Sequence, residues 1–230
     1  MIGILVPAHD EEDRIGACLD SLQRAALDPA LDGEDVCIVV ALDACTDGTW
    51  LECKRRGVET LSLDARCVGV ARAAAAAVLL TRGARWLAST DADSEVPADW
   101  LSGQLAGGHD VFCGLVDLKC ETTGQRLYQL FHRAERWGHD HGRIHGANLG
   151  IAARTYLDAG GFDALECHED VALVRRLEAG GTRVHWADQP RVLTSARLHG
   201  RAPQGFAAYL RDLEARLGAG PDVALAGGTP

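Results

Sequence analysis

The sequence predicts an α/β protein with a mostly parallel central sheet flanked by helices. Apolar, β-rich segments alternate with amphipathic segments through the first half of the chain. Residues 36–42 are continuously apolar, as in a strand that is buried on both faces. A repeated strand–helix–strand order implies parallel strands joined by right-handed crossovers.

The first half contains four predicted strands and three predicted helices. After the first apolar run, Ile15, Leu19 and Leu22 are spaced like one face of a helix. The turn-forming residues 46–49 introduce a second helix, and an alanine-rich segment predicts a third. The predicted strands cover residues 2–8, 36–42, 58–63 and 85–90, and the predicted helices cover 12–26, 50–56 and 68–81.

The second half has a less regular pattern. One predicted helix places Leu127, Leu130 and Phe131 on a single face, and another ends at Gly180-Gly181. The predicted strands cover residues 109–118, 147–152, 183–187 and 192–195, and the predicted helices cover 99–105, 125–138, 155–159, 169–179 and 206–217.

Composition argues against several classes of protein. The chain has 23 Lys+Arg and 33 Asp+Glu, a net charge of −10 that disfavours a nucleic-acid partner. A hydrophobic fraction of 47% excludes wholesale disorder. No apolar run reaches about 18 residues, and the N-terminus lacks the basic segment of a signal peptide. The eight cysteines include no C-x-x-C pair, so we expect reduced thiols in a cytoplasmic protein without a membrane span.

Acidic side chains follow three of the predicted parallel strands. Glu11 comes after the first strand, Asp43 after the second, and Asp91 and Asp93 after the fourth. Open parallel sheets bind ligands beyond the carboxyl ends of their strands. Carboxylates gathered there need a cation or hydrogen-bond donors to offset their repulsion. A dinucleotide fingerprint and a P-loop are both absent, so the expected site does not use a glycine-rich phosphate loop.

Two short acidic motifs are candidates for chemistry. Asp91 and Asp93 form a D-x-D pair that suits a hard divalent ion, although in isolation a solvated turn is the simpler interpretation. We expect Asp93 on an exposed rim of the sheet. Glu169 and Asp170 open the helix over residues 169–179, where simple capping is the competing interpretation.

Six segments, in order along the chain, resemble the family-two glycosyltransferases, which have the GT-A fold. The segments are VPAHDEEDRIGACLDSL, ALDACTDGT, VGVARAA, ASTDAD, HGANLGI and HEDVALVRRL, and the likeness covers about residues 2–200. These enzymes transfer a sugar from a nucleotide-sugar donor to an acceptor with inversion at the anomeric carbon. The resemblance therefore implies the GT-A fold, a nucleotide-sugar donor and a Mg²⁺ or Mn²⁺ cofactor.

The resemblance also implies roles for individual residues. Asp170 matches the general base of the family's x-E-D motif, and Asp93 matches a metal ligand in the D-x-D motif. His199 matches a late histidine that some GT-A enzymes place near the metal. The implied donor-binding residues are Pro7, Ala8, His9, Glu11, Asp43, Arg72 and Asp91, and the implied acceptor side comprises His168, Glu169 and Trp137.

The chain departs from the family pattern in places. The family's D-D-G-S stretch reads Leu42-Asp43-Ala44-Cys45, and Ala73 stands where the family has an asparagine after the arginine. A Q-x-x-R-W motif is absent, which argues against a processive polysaccharide synthase. We expect one domain over residues 1–217, with a nucleotide-binding half to about residue 95, an acceptor-binding half over 96–217 and a flexible tail over 218–230.

Several alternatives stay open from the sequence. A non-catalytic nucleotide-sugar binding module would have the same cleft. Glu169 would be the nucleophile if transfer were a retaining double displacement. The spacing of His139, His141 and His145, with His132 upstream, suits zinc, although a polar helix end and loop also explains it. Trp137 would serve core packing as readily as stacking on a sugar.

Overall fold

The structure is a computed structural model that describes residues 1–119, 124–135, 137–198 and 205–218, with the side chains of 216–218 left aside. Within this part of the chain the predicted α/β architecture is confirmed. The strands are β1 Ile2–Ala8, β2 Val36–Asp43, β3 Glu59–Leu63, β4 Trp86–Ser89, β5 Val111–Leu118, β6 Leu149–Ala152 and β7 Val184–Thr194. The helices are α1 Ile15–Ala25, α2 Thr49–Arg55, α3 Val68–Thr81, α4 Trp100–Leu105, α5 Gln125–Ala134, α6 Ala153–Asp158, α7 Glu169–Ala179 and α8 Phe206–Gly218, with short 3₁₀ turns at Pro29–Leu31 and Gly146–Asn148.

The seven strands form one sheet in the order β3-β2-β1-β4-β6-β5-β7. Strands β1 to β4 run parallel to one another, whereas β6 is antiparallel to both β4 and β5. The carboxyl ends of β1, β2 and β4 therefore lie at the same edge as the amino end of β6. Ser89 at the end of β4 pairs with Leu149 at the start of β6. Residues just before β6 are consequently brought to the edge where the D-x-D motif follows β4.

Helix α3 packs closely on the parallel half of the sheet. Its Ala71, Ala75 and Leu79 are buried in one apolar cluster with Leu5 of β1 and Val39 of β2. Small alanine side chains let the helix backbone approach the strands, which explains why an alanine-rich segment occurs here. The first turns of α3 thus lie at the carboxyl edge of the sheet, with Arg72 among them.

Some predicted boundaries are wrong. The two strands expected at 183–187 and 192–195 are one strand, β7, which continues through Pro190. Strand β7 lies at the outside of the sheet order, where a proline without an N–H donor is tolerated. Helix α5 ends at Ala134 instead of 138 because Glu135 adopts an extended backbone. Of the predicted tail, residues 219–230 lie outside the described residues.

Two compact units can be distinguished. The larger consists of Met1–Asp117 and Arg136–Thr194, and the smaller of Leu118–Glu135 and Ser195–Pro230. In the smaller unit, the Phe131 ring of α5 meets the rings of Phe206 and Tyr209 of α8 at centroid distances of 5.9 and 6.5 Å. The Tyr209 hydroxyl donates to Glu135 Oε1 at 2.7 Å.

Two further expectations concern membrane and redox state. Among the described residues, no helix combines the length and apolar character that crossing a membrane requires. Seven cysteines are free thiols, in agreement with the expectation, and the eighth, Cys120, lies outside the described residues.

Candidate active site

A buried arginine links the two acidic motifs. Arg72 of α3 is 3% exposed. Its Nη2 donates to Asp91 Oδ1 at 2.6 Å, and its Nε donates to Glu169 Oε1 at 2.8 Å. Burial alone would lower the pKa of Arg72, but the carboxylates of Asp91, Glu169 and Asp170 raise it overall. The guanidinium therefore stays charged and joins the D-x-D and x-E-D motifs.

The peptide groups of Gly146 complete this network. The Gly146 carbonyl accepts from Arg72 Nη1 at 3.1 Å and from Ser89 Oγ at 2.8 Å, and Arg72 Nη1 also donates to Ser89 Oγ. The Gly146 N–H donates to Asp170 Oδ2 at 2.6 Å. A Cβ at Gly146 would lie 2.5 Å from Arg72 Nη2 and 3.2 Å from Asp170 Oδ2. Only glycine gives the backbone this approach to both side chains.

Asp170 has the protonation chemistry expected of a base. It lies in the first turn of α7, and its Oδ1 accepts from the Val171 N–H at 2.8 Å. Burial, followed by the neighbouring charge of Glu169, raises the pKa of Asp170 to about 6, against the lowering effects of Arg72 and of two backbone N–H donors. A carboxylate with a pKa just below neutral is ionised at pH 7 and binds a proton more readily than an ordinary aspartate.

Glu169 differs from its neighbour in exposure. It is 3% exposed, and its carboxylate faces Arg72. Asp170 is only half-buried. His168, which precedes them, is exposed and has a left-handed backbone, with φ of 62°. Of the two adjacent acids, Asp170 is thus the one that is accessible.

The D-x-D carboxylates have unequal exposure. Asp91 is 39% exposed although its Oδ1 is bound by Arg72. Asp93 is only 7% exposed, so the expectation of an exposed rim at Asp93 is wrong. The chain turns inward there, and the Ser94 hydroxyl lies 3.5 Å from Asp93 Oδ1. Carboxylate oxygens are the ligands that Mg²⁺ and Mn²⁺ prefer, so this donor set fits such an ion.

The predicted donor-binding residues of β1 and β2 lie at the same edge of the sheet. Pro7 and Ala8 are buried and pair with Ala41 and Leu42. His9 Nδ1 lies 2.5 Å from the backbone carbonyl of Asp43. The structure thus brings the ends of these two strands together, as expected from their parallel pairing.

Asp43 and Glu11 both have internal partners. Asp43 Oδ1 accepts from the N–H groups of Ala65 and Arg66 at 2.7 and 2.9 Å, and its Oδ2 accepts from the Cys67 N–H at 2.8 Å. These bonds fix the loop that leads into α3. Glu11 is buried, and its Oε2 lies 3.6 Å from Arg14 Nη1. If Asp43 contacts a nucleobase, it does so with a carboxylate that already accepts three backbone N–H bonds.

A second acidic cluster lies beside this region. Ligand atoms of Asp10, Cys45 and Asp47 come within 4.8 Å of one another. However, Asp10 Oδ1 accepts from the Thr46 N–H at 2.6 Å, and Asp47 Oδ1 accepts from the Thr49 N–H at 3.0 Å. Burial raises the pKa of the Cys45 thiol, which disfavours the thiolate that binds metals. The cluster is explained by loop structure.

The histidine segment has no zinc geometry in the part of the chain that the structure describes. His141 is buried, its Nδ1 accepts from the Arg143 N–H at 2.9 Å and its Nε2 lies 3.3 Å from the Ala187 carbonyl. Both ring nitrogens thus have backbone partners. Burial, together with the charges of His141 and Arg143, lowers the pKa of His145 to about 4. His139 is exposed.

Two predicted residues remain, Trp137 and His199. The half-buried Trp137 ring lies 4.4 Å from the guanidinium carbon of Arg191. Arg191 in turn donates to Asp188 Oδ1 at 2.5 Å. His199 lies outside the described residues.

Sequence reasoning missed two members of the network, Ser89 and Gly146. Both occur in quoted segments, Ser89 in ASTDAD and Gly146 in HGANLGI. Their roles depend on the reversed direction of β6, which brings Gly146 beside the end of β4. A glycine three residues before a short apolar strand is the one local signal of close backbone approach.

Comparison with known proteins identifies the family. The profile of glycosyl transferase family 2 matches residues 3–156, more than half of the chain. The chain belongs to this family. The match covers the ends of β1, β2 and β4, Arg72 and Gly146, whereas the x-E-D segment follows it. The family-two resemblance seen in the motifs is thereby confirmed.

Solved structures with the same fold are distant in sequence. Residues 1-349 of TarS from S. aureus align with a TM-score of 0.65 and 15% identity, covering 85% of this chain and 60% of that one. The mannosyltransferase PcManGT from Pyrobaculum calidifontis, in complex with GDP-Man and Mn²⁺, aligns with a TM-score of 0.64 and 16% identity, covering 97% and 65%. This family-two chain thus spans about three fifths to two thirds of their length. No curated protein matches it in sequence.

Proposed function

We propose that this chain is an inverting, metal-dependent glycosyltransferase that moves a sugar from a nucleotide diphosphate sugar to an acceptor hydroxyl. The observation that carries the proposal is the contrast between the two acids of the x-E-D motif. Asp170 is accessible and has a raised pKa, whereas Glu169 is buried against Arg72. A single displacement needs one base, while a retaining double displacement needs a carboxylate that reaches the anomeric carbon. Glu169 is poorly placed for the second role.

In the proposed reaction, Asp170 accepts the proton of the acceptor hydroxyl. The hydroxyl oxygen forms the new bond to the anomeric carbon, and the bond to the diphosphate breaks with its electron pair on the leaving oxygen. Asp91 and Asp93 would hold a Mg²⁺ or Mn²⁺ ion, whose charge would offset that of the diphosphate leaving group. The region to about residue 95 would bind the donor nucleotide, and the region after it would bind the acceptor.

The proposed donor class has support from structural relatives. TarS has been solved with UDP-GlcNAc, and PcManGT with GDP-Man and Mn²⁺. UDP and GDP sugars are therefore the first donors to test here. Retention of Asp91, Asp93 and Asp170 favours an enzyme over a binding module of the same fold.

The deciding experiment follows donor consumption and product stereochemistry. Purified protein is incubated with UDP- and GDP-sugars and simple sugar acceptors, with Mn²⁺ or with EDTA, and the anomeric configuration of the product is read by NMR. We expect transfer in the presence of Mn²⁺ and no transfer in EDTA. An α-linked donor should give a β-linked product. Asp93→Asn should abolish the transfer that Mn²⁺ supports. Asp64→Asn is the control, since the Asp64 side chain is 85% exposed. A product with retained configuration, or transfer in EDTA at the Mn²⁺ rate, contradicts the proposal.

A further inference from the structure

Arg72 is a buried cation whose donors are almost all used inside the protein. Its Nε, Nη1 and Nη2 atoms donate to Glu169, Ser89, the Gly146 carbonyl and Asp91. An arginine has five N–H donors, so four of these bonds leave one on Nη2. With 3% of the residue exposed, little of the guanidinium reaches the solvent from which a nucleotide would enter.

We propose that Arg72 is a positioning residue, which fixes the carboxylates of Asp91 and Glu169 in place instead of contacting the donor nucleotide. This inference rests on the proposed function, because the D-x-D motif is what Arg72 serves. The planar fork of a guanidinium binds two carboxylates in defined directions, and a lysine ammonium cannot reproduce that geometry.

The consequence for the D-x-D motif is direct. Asp91 is 39% exposed and would otherwise sample several rotamers in solvent. Because Arg72 Nη2 holds Oδ1 at 2.6 Å, Oδ2 is left as the oxygen with a fixed direction for a cation or its bound water. Arg72 is held in turn by Ser89 and the Gly146 carbonyl. The side chain of Asp91 therefore loses its conformational entropy when the protein folds, and this loss does not weaken the binding of the cation.

The same contacts govern how the test variants must be built. Removing Arg72 alone would leave Glu169 as a buried carboxylate without its cation, which is strongly destabilising. The double variant R72M/E169Q removes the cation and the buried charge together, so it is expected to fold. The single variant E169Q keeps the contact between Arg72 and Asp91, and it is the reference for the double variant.

The experiment measures the affinity of UDP and GDP by calorimetry, once with EDTA and once with Mn²⁺. With EDTA, we expect R72M/E169Q and E169Q to bind the nucleotide within twofold of the wild type. With Mn²⁺, we expect E169Q to keep the gain in affinity and R72M/E169Q to lose it by tenfold or more. A tenfold loss with EDTA in R72M/E169Q would show that Arg72 contacts the nucleotide, and an undiminished Mn²⁺ gain would show that Asp91 does not need it. Either result overturns the proposal.

A matched control tests for general effects of removing an arginine pair. Arg56, which directly follows α2 and is partly exposed, binds Asp20 of α1 and Glu52 of α2, outside the proposed site. The variant R56M/E52Q should bind both nucleotides as the wild type does. If R72M/E169Q fails to fold, Arg72→Lys replaces it, and we expect at least a threefold loss of the Mn²⁺ gain with unchanged affinity in EDTA.

The outcomes separate this proposal from the proposed function. If the wild type transfers sugar and gains affinity with Mn²⁺, but R72M/E169Q behaves as E169Q does, only the proposed role of Arg72 is refuted and the proposed function stands. A wild type that binds and gains affinity with Mn²⁺ but transfers nothing refutes the enzyme, while the affinities still decide the role of Arg72. A wild type without any Mn²⁺ response refutes both.

Discussion

Replacing Asp170 by asparagine should stabilise the protein while it removes activity. Burial raises the pKa of Asp170 from an ordinary 3.8 to about 6, so the folded state binds this proton more tightly than the unfolded state does. By linkage, ionisation of Asp170 reduces the free energy of unfolding as the pH rises from about 4 to about 6. Above about pH 6 this reduction is complete and stays constant. Asparagine keeps a carbonyl oxygen for the Gly146 N–H and has no proton to lose, but its NH₂ group cannot accept the bond that Asp170 Oδ1 now accepts from the Val171 N–H.

The size of the effect follows from the two pKa values. A difference of roughly two pH units, at about 1.4 kcal/mol each, gives a ceiling of about 3 kcal/mol. The lost bond to the Val171 N–H costs about 1 kcal/mol at either pH. We therefore expect Asp170→Asn to raise the free energy of unfolding by about 1–2 kcal/mol at pH 7.5 and to leave it within about 1 kcal/mol of the wild type at pH 4.5. The turnover number should fall by about 10²–10⁴, the usual contribution of a general base.

Urea unfolding of both proteins at pH 7.5 and 4.5 measures the stability difference, and a transfer assay at pH 7.5 measures turnover. The control is Asp158→Asn, because Asp158 is 60% exposed and its pairing with Arg154 contributes little. The inference that folding raises the pKa of Asp170 would be refuted by either of two results. One is an Asp170→Asn variant that is less stable than the wild type at pH 7.5, and the other is the same change in the free energy of unfolding at both pH values. Unchanged turnover would reduce Asp170 to a helix cap.

Two substitutions test the backbone framework around the site. Gly146→Ala should lower the free energy of unfolding by about 1–3 kcal/mol, since its Cβ would lie 2.5 Å from Arg72 Nη2; urea unfolding checks this against Gly124→Ala, whose Cβ meets nothing within 4 Å. Asp43→Asn should cost about 1–3 kcal/mol, because its amide NH₂ cannot accept one of the backbone N–H bonds that the carboxylate now accepts. The exposed Asp64→Asn is its control, and equal stabilities of the two variants would contradict this role of Asp43.

Local signals predicted the elements that depend on local sequence. Helices α3 and α7 occur at the predicted residues, since an alanine-rich run defines the first and Gly180-Gly181 ends the second. The continuous apolar run of β2 was likewise sufficient to identify a central strand. Boundaries failed where a distant partner decides the structure, as in β7, where an edge position allows the strand to pass through Pro190.

Local sequence patterns do not predict the contacts between the side chains of the site. Arg72 and Glu169 are 97 residues apart, and only the completed sheet brings them together. The acidic pattern identified Asp91, Asp93 and Asp170 as candidates, but no periodicity predicts that Asp93 is buried or that Asp43 accepts from the loop before α3. Burial at these positions depends on how the chain turns after each strand, and short turns carry weak sequence signals.

The reversed strand β6 explains why one arginine can serve both motifs. In a fully parallel sheet, the chain would enter β6 at the opposite edge, far from the residues that follow β4. Because β6 is antiparallel, the chain enters it beside Ser89, and the peptide of Gly146 lies between Arg72 and Asp170. The absence of a side chain at Gly146 then lets the Arg72 guanidinium and the Asp170 carboxylate approach the same backbone segment. The geometry of the candidate base therefore depends on a strand direction and a glycine as much as on the acidic residues themselves.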